Sequence, residues 1–377
     1  MKVVVAMSGG VDSSVAAALI KDEGYQVIGV TMQIWPPGKQ NNFGGCCGIG
    51  TIEDAKRVAY KLGISHYVMN FRDTFAQKVI TDFYEEYSLG RTPNPCIRCN
   101  QYIKFDALLE KAKELGADFV ATGHHARIEK DEARESHLLK KGVDQDKDQS
   151  YFLYTVTQEQ LRHILLPIGN FTKEKVREIA RKLALTVAAK PESQEICFIP
   201  DDDYPEFLKA YIPQAAEPGP ILNEQGSILG NHQGILSYTI GQRKGLGISA
   251  KEPLYVIAIE PERNAIVVGN KEKVFGDELI ASCLNWITAA RLTQPITAKA
   301  KIRYRHQEAE ATVIPLDEKR VYVKFKEPQM AITPGQAIVF YEGDTVIGGG
   351  TIESVRKQDT AKTLALYEET KKDKEFA

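Results

Sequence analysis

The stretch Val3-Val4-Val5-Ala6-Met7-Ser8-Gly9-Gly10-Val11-Asp12-Ser13-Ser14 decides the fold of this 377-residue chain. An apolar run, a glycine turn and a helix-favouring segment over residues 15–21 predict strand, loop and helix in succession. The free backbone N–H groups at such a helix start, with the positive end of its dipole, make a seat for phosphate. A phosphate loop of the Gly-Lys-Ser/Thr kind would place a lysine on the terminal phosphates, and none stands here. Ser8 and Ser13 offer hydroxyls and N–H groups instead, and Asp12 would meet phosphate through Mg2+. A plain turn between a buried strand and a helix would need neither the two serines nor the aspartate.

Working outward, apolar runs at 26–32, 66–70 and 119–122 alternate with helical patterns at 51–62, 75–87 and 105–115. Strands alternating with helices predict an α/β fold: a doubly wound, Rossmann-like parallel sheet with right-handed crossovers, here over residues 1–205. Ligands of such sheets bind beyond the carboxyl ends of the strands. The serine-glycine loop, Met32 and Gly123-His124-His125 all fall there. Met32 could pack on an adenine ring, and Gly123 would let backbone approach a nucleotide. The loop resembles that of the ATP pyrophosphatase (PP-loop) enzymes, which split ATP into AMP and pyrophosphate and attach AMP to a substrate oxygen.

Beyond a helical pattern at 172–183, a polar loop at 190–200 carries one cysteine, Asp201-Asp202-Asp203 caps a helix at 204–211, and residues 213–220 read as a linker. Short strands at 221–222, 254–259 and 265–268 predict a small β-containing middle domain over 206–275. Regularly spaced strands at 298–304, 309–314, 320–325, 337–341 and 346–353 predict an antiparallel β-barrel over 276–357. The charged tail 358–377 reads as a frayed end without function. Hydrophobic content of 43% and charged content of 26% are those of a soluble globular protein. No leader-like or membrane-length apolar run occurs, so a cytoplasmic protein without a membrane partner is expected. Six cysteines are too few for a disulfide scaffold and read as structural, catalytic or metal-binding.

Cys96 and Cys99 stand in Arg91-Thr92-Pro93-Asn94-Pro95-Cys96-Ile97-Arg98-Cys99-Asn100, where two prolines predict a stiff, non-helical loop and Arg98 favours the thiolate. Cys197 lies in its own polar loop. Cys46-Cys47 read as mobile-loop residues and Cys283, beside Leu284 and Trp286, as core. Together with Ala121-Thr122-Gly123-His124, Lys147-Asp148-Gln149-Ser150-Tyr151-Phe152-Leu153, Gly241-Gln242-Arg243-Lys244-Gly245-Leu246-Gly247 and Thr333-Pro334-Gly335-Gln336, these motifs resemble the tRNA-specific 2-thiouridylase family from Met1 to about residue 353.

The resemblance implies an enzyme that replaces the C2 oxygen of the wobble uridine by sulfur in the tRNAs for Lys, Glu and Gln: ATP adenylates the oxygen and a persulfide sulfur displaces AMP. It implies that Cys197 carries the persulfide delivered by a sulfur-relay protein or cysteine desulfurase, and that Cys99 is the second catalytic thiol, releasing sulfur by forming a disulfide with Cys197. ATP would rest on Ala6, Met7, Ser8, Gly9, Gly10, Val11, Asp12, Ser13, Met32 and Gly123. Asn94, Pro95 and Cys96 would surround the target base, which must leave the anticodon stack. His124, Lys147, Asp148, Gln149, Arg303, Tyr304 and Gln336 would contact tRNA.

Cys96 beside Cys99 and Cys197 also admits a rival in which three thiolates hold an iron–sulfur cluster that presents the sulfur. Lys299, Lys301, Arg303 and Arg305 fall at every second position of one expected strand, a stripe that can track phosphates although the formal net charge is only -2. Two other functions stand beside thiolation: a PP-loop amide or argininosuccinate-type synthetase, which would not need the loop thiols, and a non-catalytic RNA-binding module.

Overall fold

The computed structural model describes residues 1–34, 49–191, 196–199 and 203–355, and for Ile49 the backbone alone. Cys46, Cys47, Asp201, Asp202 and the tail lie outside the described residues. The chain divides into two compact units, Met1–Glu85, Asn94–Tyr211 and Glu342–Gly348 in the first, Glu86–Pro93, Ile212–Tyr341 and Gly349–Ala377 in the second.

The first unit is built on five parallel strands in the order Ser65–Asn70, Gln26–Gln33, Lys2–Ala6, Phe119–Ala121, Ile164–Leu165. Lys2–Ala6 is central and apolar, with Val3, Val4 and Val5 fully buried, as a strand covered on both faces must be. The helix Val11–Asp22 packs over it through Val15, Ala16 and Ile20, with Val58 and Ala59 of Ile49–Leu62 and Val176 and Ala180 of Lys173–Lys182 in the same core. The strand order reverses direction between Lys2–Ala6 and Phe119–Ala121, which is the doubly wound arrangement expected, and its crevice opens at that reversal.

Two local expectations change in this unit, and one hairpin is new. The helical pattern at 75–87 is a helix interrupted by a wide turn at Ala76–Ile80, where the Thr81 hydroxyl donates to the Ala76 carbonyl five residues back (3.1 Å). The segment after the two prolines is helical rather than a loop: Pro95 occupies the first helical position, where no N–H is needed, and Asn94 caps it. A hairpin, Ala126–Asp131 with Ser136–Lys141, was not legible because its charged alternation imitates a surface loop.

In the second unit the expected linker at 213–220 is a short helical turn, Pro213–Ala216, followed by the strand Gly219–Leu222 of a four-stranded sheet with Ile228–His232, Ala265–Gly269 and Tyr255–Glu260. Six strands, Phe275–Trp286, Val321–Met330, Ala309–Pro315, Ile296–Lys301, Ala337–Glu342 and Thr345–Val355, form an antiparallel barrel closed by pairing of the first with the last. Two expectations fail here. Cys283 is exposed, with φ +51°, a left-handed kink that breaks the alternation placing Leu279 and Ala281 inside. The basic stripe is cut short because Ile296–Lys301 ends before Arg303 and Arg305, so four side chains do not share one strand face.

Candidate functional site

The serine-glycine loop leaves the central strand at the reversal point of the first unit. Gly9 has φ +67°, and a Cβ there would lie 2.1 Å from the Thr51 carbonyl oxygen, so only glycine fits. Ser13 Oγ accepts the Ser8 N–H (3.2 Å) and donates to the Gly10 carbonyl (3.2 Å), while Ser14 Oγ donates to the same carbonyl at 2.7 Å. The serines thus knit the loop. Met7 is anchored beneath it by the Thr31 hydroxyl, which donates to the Met7 carbonyl (2.8 Å). Gly123 closes against it from the neighbouring strand end: a Cβ would meet Asp12 C and Ser13 N at 2.6 Å. Met32, half-buried, ends the next strand of the sheet.

Three further residues stand near this loop: Lys173 and Lys190, which carry no local sequence signal, and His125, expected at this strand end. Lys173 Nζ reaches both carboxylate oxygens of Asp12 at 2.7 Å, and its side chain is only 10% exposed. Lys190 Nζ donates to the Gly9 carbonyl (3.0 Å) and to Asp54 (2.8 Å). His125 Nε2 stands 3.5 Å from Asp12 Oδ1. Burial raises the Asp12 carboxyl, but His125 and the Lys173 ammonium outweigh it and hold it below the usual carboxylate range. These partners lie more than 100 residues away in sequence, so only the folded sheet brings them together.

The thiols come next. Asn94 Oδ1 accepts the Cys96 N–H (3.2 Å) and starts the helical run Pro95–Arg98, Cys99–Ala107, Leu108–Glu114, placing Cys96 exposed and Cys99 half-buried. Arg98 does not present a bare charge to them: its Nε is 3.0 Å from Asp82 Oδ1, a partner that outweighs the pull of burial and raises its pKa. Cys197, half-buried, precedes Phe198, whose ring meets Phe75 at 5.4 Å and Phe83 at 5.5 Å, both edge-on. Arg98 on Asp82 and Phe198 on Phe83 therefore fasten the neighbours of Cys99 and Cys197 to consecutive residues of one helix, Thr81–Ser88. Further along the thiol run, Asn100 donates to the Phe152 carbonyl (3.2 Å), and Lys104 Nζ lies 3.4 Å from His124 Nε2, next to Gly123. The thiol helix and the loop wall at 122–125 touch.

Three family models match in order: a tRNA methyl transferase HUP domain over residues 1–201, a tRNA methyl transferase PRC-barrel domain over 205–270 and an aminomethyltransferase beta-barrel domain over 276–352. A tRNA-specific 2-thiouridylase of Acetivibrio thermocellus is 53% identical over 93% of this chain and 99% of its own. The chain belongs to the tRNA-specific 2-thiouridylase family. A second member, from Heliobacterium modesticaldum, is 56% identical over 93% of this chain and 92% of its own. A solved 4-thiouridine synthetase–RNA complex with bound ATP superposes with TM-score 0.34 and 18% identity over 56% of this chain and 50% of that one, too partial a likeness to add weight.

Of the residues expected from the sequence to contact tRNA, several are committed within their own unit. His124 is buried, with Nδ1 2.7 Å from the Thr122 hydroxyl; burial above all, with Lys104 and His125 beside it, holds its pKa well below the usual imidazole range. Asp148 is buried and accepts from Gly142 N, Ser150 N and Ser150 Oγ at 3.0, 3.1 and 2.8 Å. Gln149 brackets His125, its Oε1 accepting the His125 N–H (2.9 Å) and its own N–H donating to the His125 carbonyl (2.9 Å). Lys147 is half-buried. In the second unit Arg303 donates to the Ile240 carbonyl (3.1 Å) and to Thr333 Oγ1, Lys301 Nζ sits 5.6 Å over the Tyr304 ring, and Gln336 Nε2 donates to the Thr92 carbonyl (2.8 Å). Among the described residues no three His, Cys, Asp or Glu side chains are grouped as metal ligands, and no helix is long and apolar enough to cross a membrane.

Proposed function

We propose that this enzyme replaces the C2 oxygen of the wobble uridine in tRNA by sulfur, using ATP, in the tRNAs for Lys, Glu and Gln. The observation that carries the reading is the shared fastening of Arg98 and Phe198 to Asp82 and Phe83, beside a serine-glycine loop built for a nucleotide. The uridine C2 oxygen attacks the α-phosphorus of ATP; the bond to the β-phosphate oxygen breaks and pyrophosphate leaves. The terminal sulfur of a Cys197 persulfide then attacks C2 and AMP departs with the oxygen. The Cys99 thiolate attacks the Cys197 sulfur, forming a Cys99–Cys197 disulfide and leaving 2-thiouridine, and an external dithiol reduces the pair for the next cycle.

Ala6 to Ser13, Met32 and Gly123 hold ATP in this scheme. Asp12, 30% exposed at the loop, suits Mg2+ carried in by the phosphates, since that ion is usually bound through one or two carboxylates plus substrate oxygens, and it would neutralise phosphate charge there. Asn94, Pro95 and Cys96, at the start of the thiol helix, receive the flipped base. A cysteine desulfurase or relay protein loads Cys197, and the reaction runs in the cytoplasm.

For tRNA, the turn Gly241-Gln242-Arg243-Lys244-Gly245-Leu246-Gly247 supports a phosphate contact in the second unit. Gln242 braces it, accepting from Thr239 N and donating to the Lys244 carbonyl, both at 3.0 Å, and Arg243 and Lys244 are exposed at its tip. The deciding experiment incubates the protein with tRNA, ATP and a loaded sulfur donor and follows tRNA mass and nucleotide products. Gain of one sulfur for oxygen with AMP, lost in both Cys99→Ser and Cys197→Ser, is expected. ADP as product, or undiminished thiolation by Cys197→Ser, refutes it.

A further inference from the structure

The reaction proposed above gives Cys96 no bond to make, although it shares a helical turn with Cys99. The two stand three residues apart where Pro95–Arg98 continues into Cys99–Ala107. Residues so spaced lie on one side of a helix, with Cβ atoms about 5–6 Å apart. Their turn is already tight, since the Cys99 N–H is shared between the carbonyls of Cys96 and Pro95. A disulfide needs Cβ atoms about 3.5–4.5 Å apart, so a local shift of about 1–2 Å in this first turn would let the pair close. Two cysteines with two residues between them are the spacing of dithiol redox motifs.

A second observation is the unequal access of the three thiols. Cys96 is exposed, whereas Cys99 and Cys197 are half-buried. Each of the latter two adjoins a buried neighbour: Asn100, which donates to the Phe152 carbonyl at 3.2 Å, follows Cys99, and Phe198, set among the rings of Phe75, Phe83 and Phe207, follows Cys197. Thiol–disulfide exchange runs only as fast as the attacking thiolate reaches the bond. A disulfide between two half-buried sulfurs is therefore slow to meet a dithiol from outside, and Cys197 cannot take a new sulfur while it is held in that bond.

We infer that Cys96 is a third catalytic thiol, which takes the disulfide off Cys197 and carries it to the surface. The inference rests on the persulfide chemistry proposed above and adds the step that follows sulfur transfer. The Cys96 thiolate attacks Cys99 Sγ; the Cys99–Cys197 bond breaks, a Cys96–Cys99 bond forms, and Cys197 leaves as a thiolate that takes up the proton Cys96 gave up. The exchange is redox-neutral, so no oxidant is needed. The external dithiol then reduces the exposed Cys96–Cys99 pair, while Cys197 is already open to the sulfur donor.

The test loads full-length wild type and Cys96→Ser with persulfide, runs one turnover on tRNA with ATP and no reductant, quenches at low pH with N-ethylmaleimide and maps disulfides by mass spectrometry. Wild type should accumulate the Cys96–Cys99 disulfide with Cys197 alkylated, and Cys96→Ser should stop at Cys99–Cys197. With thioredoxin as limiting reductant, later turnovers taken relative to the first should slow about tenfold or more in Cys96→Ser; the ratio removes any effect of the substitution on base binding. Accumulation of Cys99–Cys197 in wild type, equal ratios in the two proteins, or stoichiometric iron in wild type that is lost in Cys96→Ser overturns the proposal. A turnover that inserts sulfur and leaves no disulfide in either protein sinks the persulfide step itself. Should Cys96→Ser fold poorly, the wild-type map decides, together with Cys197→Ser titrated in glutathione buffers: Cys96 and Cys99 should oxidise together as one two-electron couple, and failure to pair there also overturns the proposal.

Discussion

Replacing Gly123 by alanine tests whether the contact between the strand end and the serine-glycine loop sets the nucleotide geometry. The added Cβ would stand 2.6 Å from Asp12 C and Ser13 N and 2.9 Å from Asp12 O, about 0.8 Å inside the ordinary contact distance of 3.4 Å. All three atoms are backbone, so no side-chain rotation relieves the clash, and the loop and the strand end must part by most of that amount. Overpacking of this size costs about 1–3 kcal/mol of stability, which an α/β sheet with so large a core survives. The functional effect is larger, because a misplacement of about 1 Å at a reacting group lowers rate on the order of 100-fold. Pyrophosphate release with saturating tRNA should fall about 100-fold in Gly123→Ala, while tRNA affinity and the melting curve change little. A variant releasing pyrophosphate at the wild-type rate would show that the loop is not held by this contact, and the assignment of the ATP site to this sheet reversal would lose its main geometric support.

Phe198→Ala removes edge contacts to Phe75, Phe83 and Phe207 and should leave a single turnover of pyrophosphate release intact while thiolation falls at least tenfold, read as pyrophosphate released per sulfur inserted. Arg243→Ala with Lys244→Ala should weaken tRNA binding and reduce the slope of log K against log salt by about 1.4–1.8, two phosphate contacts' worth; an unchanged slope removes the turn from the RNA surface. His124, with its folded-state pKa depressed by burial, is protonated first in the unfolded chain, so stability is full above about pH 6.5 and declines as pH falls below it, by up to about 1.4 kcal/mol per pH unit. Denaturant titrations at pH 7.5 and 5.5 should show a smaller loss for His124→Gln than for wild type. Gly335→Ala places a Cβ 2.9 Å from Thr92 N at φ +89° and should lower stability by about 2 kcal/mol or more in thermal unfolding.

The strands were legible because burial on both faces leaves unbroken apolar runs such as Val3-Val4-Val5, and the loop because glycines and serines at fixed offsets have few other uses. Period and composition are local, and they served wherever the cause was local. Pro95 misled because proline breaks a helix only in its interior, and Asn94 as cap makes it the first helical residue. The stripe from Lys299 to Arg305 failed because strand length is set by partners: pairing with Ala337–Glu342 covers only Lys299, Ala300 and Lys301. Lys173 and Lys190 carried no signal, since a lone lysine comes to Asp12 or Gly9 only when the sheet closes, whereas His125 was placed by its strand end.

The thiols illustrate what a sequence motif leaves out. A persulfide and a resolving thiol must approach to bonding distance, which demands that two loops distant in the chain be held in register while their sulfurs stay open to substrate. Fastening the cysteines themselves would bury them. The chain fastens their neighbours instead, Arg98 through an ion pair to Asp82 and Phe198 through ring contacts that include Phe83. The same helical run then reaches His124 through Lys104, beside the glycine that closes on the ATP loop. In the reaction proposed above, this one continuous helical run borders both half-reactions.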